Sequence, residues 1–586
     1  MVGAGNGIKR YEFGDEYVLL PHERLLFRGD TPVRLKPKVF ETLLVLVQNA
    51  GRVLTKDELI TKIWDGDAVE EGNLSQYVYV LRKTFGESPQ DHRFILTLPG
   101  HGYKFVPAVT RSEANGHVSH NGHAPGTLTS LAVLPLELLG ASPARKYLGL
   151  TIADNLITRL GADRRLLVRS TTSVLRYAGS NIDPAQIGSE LEVGLVLSGT
   201  ISEVSRKTRI NLQLTEIESL RVVWTHTFES LSPEDLEFHD LIVDHVAAAL
   251  RSDLPARNGE WTPKDPEVYQ KWLKARLFWE TRTEVSLRRA AESVAEIVRA
   301  DPSFPLGHIG VADAHLLLGE YQFIAPELAF PVARAAVELA LAIDPDLSQA
   351  HASLAEYYFY YERDWAKAEQ LFHRAIELDP RYASGYHWYA WFLIGMGRHD
   401  EALTNLETAQ RLDPNSLILN IARGLPFLYK RDYARAIRHF ESVLDVAPQS
   451  GHALYYLGSA RLLSGDAGGA IAALESAAEQ TAMQQTFALL GYAYARAGRK
   501  AEASGMVDRL DEMAISKYVS PYVRAILHCG VGNAPEAITQ LRRARDERAA
   551  WLVWLRCDPL LDPLRGMPDF DEIVRSLNFP PNTSSI

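Results

Sequence analysis

The sequence predicts a multidomain chain, α plus α/β in class: a small head of strands and helices, a small α+β module, and a long all-helical tail. Three observations predict it. At 586 residues the chain is too long for one hydrophobic core and should divide into about three or four domains. Two stretches with little to bury, "RSEANGHVSHNGHAPGT" at 111–127 and "RSDLPARNGEWTPKDP" at 251–266, separate head, middle and tail. Prolines at 302, 345, 380, 414 and 448 stand 43, 35, 34 and 34 residues apart, the mark of a repeated unit.

Composition narrows the function classes. A net charge of −11 argues against a protein that coats nucleic acid along its length, and leaves room for one small nucleic-acid-binding domain. Two cysteines, Cys529 and Cys557, suit a reducing compartment and exclude a disulfide framework. No run of 18 apolar residues and no signal-peptide pattern occurs, so the expected location is cytoplasmic, without a membrane.

Residues 8–106 open with "YEFGDEYVLLPHERLLFRGDTPVRL", short apolar runs broken by Pro and Gly-Asp that read as strands. Helical periodicity follows in "KPKVFETLLVLVQNAG" and "TKDELITKIW", where Thr55 and Glu58 have capping-box spacing. In "GNLSQYVYVLRKTFG" Leu74, Val78, Leu81 and Phe85 make one apolar stripe. Opposite it lie Gln76 and Lys83, flanked by Asn73, Tyr79 and Val80. An exposed Tyr and Val among amides and a base suit a reading surface better than a solvated face. "RFILTLPGHGYKFV" then gives two short strands joined by "PGHG".

Strands, three helices and a terminal hairpin are the order of a winged helix–turn–helix domain. "KPKVFETLLVLVQNAGRVLTKDELITKIW", "EEGNLSQYVYVLRKTFG" and "ILTLPGHGYKFV" resemble the OmpR-type DNA-binding domain of bacterial regulators. The resemblance implies a third helix in the major groove of double-stranded DNA and a wing on the adjacent minor groove or backbone. Asn73 and Gln76 suit adenine edges, and Val80 a thymine methyl. Tyr77 and Tyr79 share the surface. Arg82, Lys83, Arg93 and Lys104 suit phosphates, and His101 at the wing tip adds a contact. The head holds 14 Lys and Arg against 14 Asp and Glu, so non-specific affinity should be weak and dependent on salt. Several members of the family carry arginine where this chain has Tyr79 and Val80, so base contacts transfer only as positions.

Residues 107–127 read as a flexible linker; His117, His120 and His123 have no Cys or carboxylate cluster beside them to suggest a metal. Residues 128–252 alternate strand and helix: "LTSLAVLPLELLG", "YLGLTIADNLITRLG", "RLLVRST", long strands around "LSGT", and the closing helix "LEFHDLIVDHVAAALR". The order resembles a TolB-like α/β module. The phosphate-loop, zinc-protease and nucleophile-elbow motifs are all missing. "LSGT" reads as a tight strand crossing, His226, His239 and His245 as structural positions, and Asp154 and Asn155 as a helix surface in preference to the lining of a cleft. No catalytic residue, metal or cofactor is expected, and the chain is not read as an enzyme.

In the tail, small and apolar anchors precede the repeat prolines in register: Ala368, Phe372, Ala375; Ala402, Leu406, Ala409; Ala436, Phe440, Val443; then Ala470, Leu474, Ala477 without proline. This 34-residue helix–turn–helix unit resembles the tetratricopeptide repeat, about eight copies over 266–551, with 552–586 as a capping segment and tail. Glu356 stands where such repeats carry a small residue, so the third unit should pack unusually; Pro426 should kink a first helix. The resemblance places first helices on the concave face. Tyr357, Tyr360, His387, Trp391 and Tyr455 are therefore candidates for binding a peptide or apolar ligand, or for packing between helices.

Two functions follow. One is a sequence-specific, one-component transcription regulator whose tail senses a ligand or docks a protein, with RNA polymerase a candidate partner and a homo-oligomer compatible. Because the head begins near Met1, control by a receiver domain in the chain is not expected. The other is an interaction scaffold whose winged helix is a relic.

Overall fold

The computed structural model describes residues 9–14, 17–20, 25–28, 31–33, 35, 37–56, 58–59, 71–85, 87, 93–98, 102–107, 109–113, 129–139, 148–163, 165–178, 183–204, 207–233, 235–250, 252, 265–481 and 483–581. It divides into two compact units, Met1–Thr127 and Leu128–Ile586. His101, the three linker histidines, residues 60–70, which include the end of the second predicted helix, and the last five residues lie outside the described set.

In the first unit, β1 (Lys9–Phe13), β2 (Tyr17–Leu20), β3 (Leu25–Arg28) and β4 (Thr31–Val33) precede α1 (Pro37–Gln48) and the short β5 (Val53–Leu54). After α2 (Glu71–Thr84) come β6 (Ile95–Leu98), β7 (Gly102–Phe105) and β8 (Val109–Glu113). One antiparallel sheet runs β4-β3-β2-β1-β8 and a second β5-β7-β6. Here the expectation of a linker from 107 needs correction: Val109–Glu113 pairs with Lys9–Phe13 along its whole length. Its polar side chains hid a strand whose backbone bonds satisfy the sheet edge. At Thr55 the capping box is present, Thr55 N donating to Glu58 Oε2 at 2.9 Å and Glu58 N to Thr55 Oγ1 at 3.1 Å.

The second unit begins with an α/β layer. β9 (Thr129–Val133), β10 (Glu137–Leu139), β11 (Leu166–Val168), β12 (Leu195–Val204), β13 (Lys207–Glu216) and β14 (Arg221–Ser230) form a sheet ordered β11-β9-β12-β13-β14, with β10 on β12. The first three are parallel and the last two pairings antiparallel. Helices Leu148–Leu160 and Leu236–Leu250 cover it with buried Ile152, Leu156, Ile242 and Val246. "LSGT" is indeed a tight crossing: a Cβ on Gly199 would stand 2.3 Å from Asn211 O.

The tail pairs helices into hairpins from Pro266–Glu280 with Glu284–Ala300 to Pro521–Gly530 with Ala534–Asp546. The anchors read from the repeat are buried; Ala368, Phe372, Ala402, Leu406, Ala436, Phe440, Ala470 and Leu474 have no accessible surface. Asp364, Asp432, Asp466 and Asn533 cap the second helices of their units by accepting from a backbone N–H. The two flagged departures behave as chemistry demands. The helix carrying Glu356 passes into a π-helical segment, Tyr358–Glu362, that ends at Arg363 with φ 57°. The helix with Pro426 does more than kink: it breaks into Leu417–Ala422 and Leu425–Tyr429.

The α/β layer docks on this array. Asp154, 4% exposed, accepts from the hydroxyls of Thr171 and Tyr269 and from Arg276 Nη1 at 2.9 Å. Asp154 and Asn155 are thus buried rather than on a helix surface, a correction whose cause lies 115 residues away at Tyr269. Arg169 Nη1 donates to Arg411 O at 2.7 Å, at the negative end of the helix His399–Leu412. Ser173 Oγ donates to Asp413 Oδ1 at 2.7 Å.

The array also closes on itself. Gln484 Nε2 donates to Gln322 O at 2.6 Å and Gln485 Nε2 to Tyr321 O at 2.9 Å, joining a late hairpin to an early turn. The C-terminal segment does more than cap. Phe570 and Ile573 cover the last hairpin, while Trp554 enters the groove against Phe359, Trp391 and Tyr429, with ring centroids 5.4–6.0 Å apart. Arg556 Nη2 donates to Met396 O at 2.8 Å, and Phe579 stacks on Trp365 at 4.9 Å. Among the described residues no helix is long and apolar enough to cross a membrane.

Candidate nucleic-acid interface and repeat groove

Helix α2 is held by its apolar stripe: Leu74, Val78, Leu81 and Phe85 are at most 3% exposed and pack with Leu43, Leu46 and Val47 of α1. Burial of each such side chain stabilises by about 1.5–3 kcal/mol, which fixes the opposite face outward. There Tyr79 is 61% exposed and Lys83 is also exposed. Tyr77 and Val80 are half-buried against the core edge. Asn73 and Gln76 belong to the same helix by backbone position.

Arg82 departs from the expected phosphate role. Its Nη2 donates to Ile95 O at 2.8 Å and to Thr97 Oγ1 at 2.7 Å, bracing α2 against the first strand of the hairpin. A long basic side chain in the last turn of α2 could be read as a phosphate ligand; its contact 13 and 15 residues on was invisible in the periodicity. The hairpin is further fixed by Glu87, 6% exposed, whose carboxylate accepts from Phe94 N at 2.9 Å and Ile95 N at 3.2 Å. Gly102, with φ 128°, is required: a Cβ there would stand 2.0 Å from Leu54 O. Lys104 is half-buried on β7 opposite Val53 and Leu96, while Arg93 is exposed just before β6.

Of the five groove candidates, four line one pair of adjoining cavities. Tyr360, Trp391 and Tyr455 border a cavity of about 40 Å³; Tyr360, Trp391 and His387 border a smaller one of about 20 Å³. Tyr357 instead packs outside both, its hydroxyl donating to Glu362 at 2.6 Å. Of the two roles expected for these side chains, packing between helices is the one that their burial shows. Tyr357, Tyr360, His387 and Tyr455 are at most 6% exposed, because the closed array and the C-terminal segment cover the groove. Residues missed from sequence complete the wall: Arg282, Glu320 and Glu356 on early first helices and turns, and Trp551, Trp554 and Asp558 from the C-terminal segment.

The electrostatics of this wall are set by burial. It lifts Glu320 to about 7 and Glu356 well above the carboxylate range, although Arg282 opposes the lift in both. Asp558 is pushed to about 6 while its Oδ2 accepts from Tyr522 at 2.9 Å. His387 is driven down to about 3 by burial and Arg282, so it is neutral, and its Nε2 accepts from Trp391 Nε1 at 3.0 Å. Among the described residues, no group of three His, Cys, Asp or Glu is placed to hold a metal.

With this geometry in place, comparison with known proteins is informative. Residues 30–105 match the family described as transcriptional regulatory protein, C terminal. Residues 359–422 and 421–485 match tetratricopeptide repeats. The chain is 24% identical over 438 residues to the transcriptional regulator HilA of Salmonella typhi, spanning 73% of this chain and 75% of that protein. It is 38% identical over 84 residues to the KDP operon transcriptional regulatory protein KdpE of Escherichia coli K12, which is 14% of this chain and 37% of that protein. A putative adenylate cyclase 3 of Rhizobium meliloti is 28% identical over 190 residues, 31% of this chain and 32% of that protein. The chain is a DNA-binding transcription regulator with a tetratricopeptide tail.

Proposed function

We propose that the chain is a one-component regulator: α2 reads an operator in the major groove, and the tail senses a ligand or docks a partner protein. The carrying observation is the exposed pair Tyr79 and Lys83, one turn apart, directly opposite a fully buried stripe. Asn73, Gln76 and Val80 act as base-contacting positions on this helix. Lys83, Arg93, Lys104 and His101 contribute phosphate contacts, and Arg82 serves by holding the hairpin. The middle layer, TolB-like in strand order, couples head and tail without chemistry of its own, and no catalytic step is assigned. The site of action is the cytoplasm.

The test is titration of the full chain with labelled duplexes over a salt series. Specific binding that weakens steeply with salt supports the reading, with a slope that falls by about one on Lys83→Ala. Identical binding to all sequences at every salt concentration would leave the head as a protein contact instead.

A further inference from the structure

The groove inside the tail has the composition of a cation receptor. The larger cavity is walled by the rings of Tyr360, Trp391, Tyr429, Tyr455, Trp551 and Trp554. Two acidic residues line it, Glu320 at the end of the helix Pro305–Glu320 and Asp558 in the C-terminal segment, and among the described residues no Lys, Arg or His does. Arg282 lies in the adjoining cavity with Glu356, and Glu320 borders both. Glu356 is 4% exposed and, among the described residues, its Oε1 has no hydrogen-bond partner, so the adjoining cavity keeps buried acceptor capacity.

We propose that this cavity binds a small organic ammonium ion, its charge between Glu320 and Asp558 and its short alkyl stem against the aromatic rings. Each element has a physical reason. Aromatic faces attract a desolvated cation by roughly 0.5–2 kcal/mol apiece. A carboxylate in the same dry wall adds a charge-assisted hydrogen bond. The cavity of about 40 Å³ has room for on the order of three water-sized groups, which suits an ammonium head on a short stem and excludes a folded peptide. The burial that lifts Glu320 and Asp558 would be relieved by a bound cation, so binding near neutral pH should release protons. Trp551 and Trp554 belong to the segment that closes the groove, so an occupant here contacts the element that seals the array.

The inference concerns the tail alone. Only its link to regulation rests on the proposed function, and a binding assay without DNA keeps the two failures apart. Isothermal titration of the full chain with ethylammonium is the test, with ethanol as the uncharged isostere and a blocked lysine peptide as the bulky alkylammonium. The expected result is saturable one-site binding of the amine, at least about tenfold tighter than the alcohol or the peptide. Proton release should differ in heat between two buffers. Glu320→Gln, shaped like the protonated acid and expected to fold, should weaken the amine by about tenfold or more, and Asp558→Asn should do the same. Equal affinity for amine and alcohol, no saturation, or amine binding unchanged in both variants would overturn the site. Peptide binding as tight as the free amine would overturn the assignment to a small molecule.

Discussion

Single side chains in the head divide into those that hold and those that face outward. Lys83 faces solvent, so Lys83→Ala should weaken all duplexes evenly and leave melting unchanged. Arg82 holds the hairpin by two hydrogen bonds, so Arg82→Ala should cost about 1–3 kcal/mol of head stability, read from thermal unfolding, and impair DNA binding through the displaced wing. If Arg82→Ala melts like the parent, the brace is incidental. The apolar stripe of α2 was legible because helical period and burial report the same face. Arg82 was not, since a basic residue near a helix end suits phosphate and brace equally, and only the tertiary partner separates them.

At the scale of elements, the closed groove makes a prediction about pH. Burial raises Glu320 from 4.5 and Asp313 from 3.8, both to about 7, and Asp558 from 3.8 to about 6. A group whose folded value is raised contributes stability in full below its unfolded value and loses it as pH rises through the folded value. The parent tail should therefore lose stability relative to Glu320→Gln as pH rises from about 4.5 to 7, while His387, His399 and His452, held by burial at about 3 to 4, add an opposing rise common to both proteins. A melting-temperature difference between parent and Glu320→Gln that stays constant across that window would contradict the account. Trp554→Ala, which empties the ring cluster with Phe359, Trp391 and Tyr429, should cost about 3–5 kcal/mol and raise amide exchange over 549–581. The helices and their anchors were legible because a 34-residue period states them four times over. The sealing of the groove was not, because it depends on pairs such as Trp551 Nε1 with Glu320 O, 231 residues apart.

For the whole molecule, the docking of the α/β layer on the repeats sets how residues 128–586 unfold. Asp154→Ala leaves Arg276 and Tyr269 without their shared acceptor, and should cost about 3–5 kcal/mol and split the calorimetric transition of this unit in two. A single transition at the parent temperature would mean that Arg169 and Ser173, through Arg411 and Asp413, carry the docking alone. The same rigid joining gives a ligand in the tail a mechanical path as far as the layer that follows the linker.

The most direct test of a sequence-reading head is to incubate the full chain with a pool of random duplexes at moderate salt and sequence the bound fraction. An enriched motif is predicted, erased by Gln76→Ala at the cost of about 1–3 kcal/mol for its base pair and kept, at lower affinity, by Lys83→Ala. A bound fraction no different from the input pool, or a motif that survives Gln76→Ala unchanged, would contradict the assignment of α2 as the reading helix.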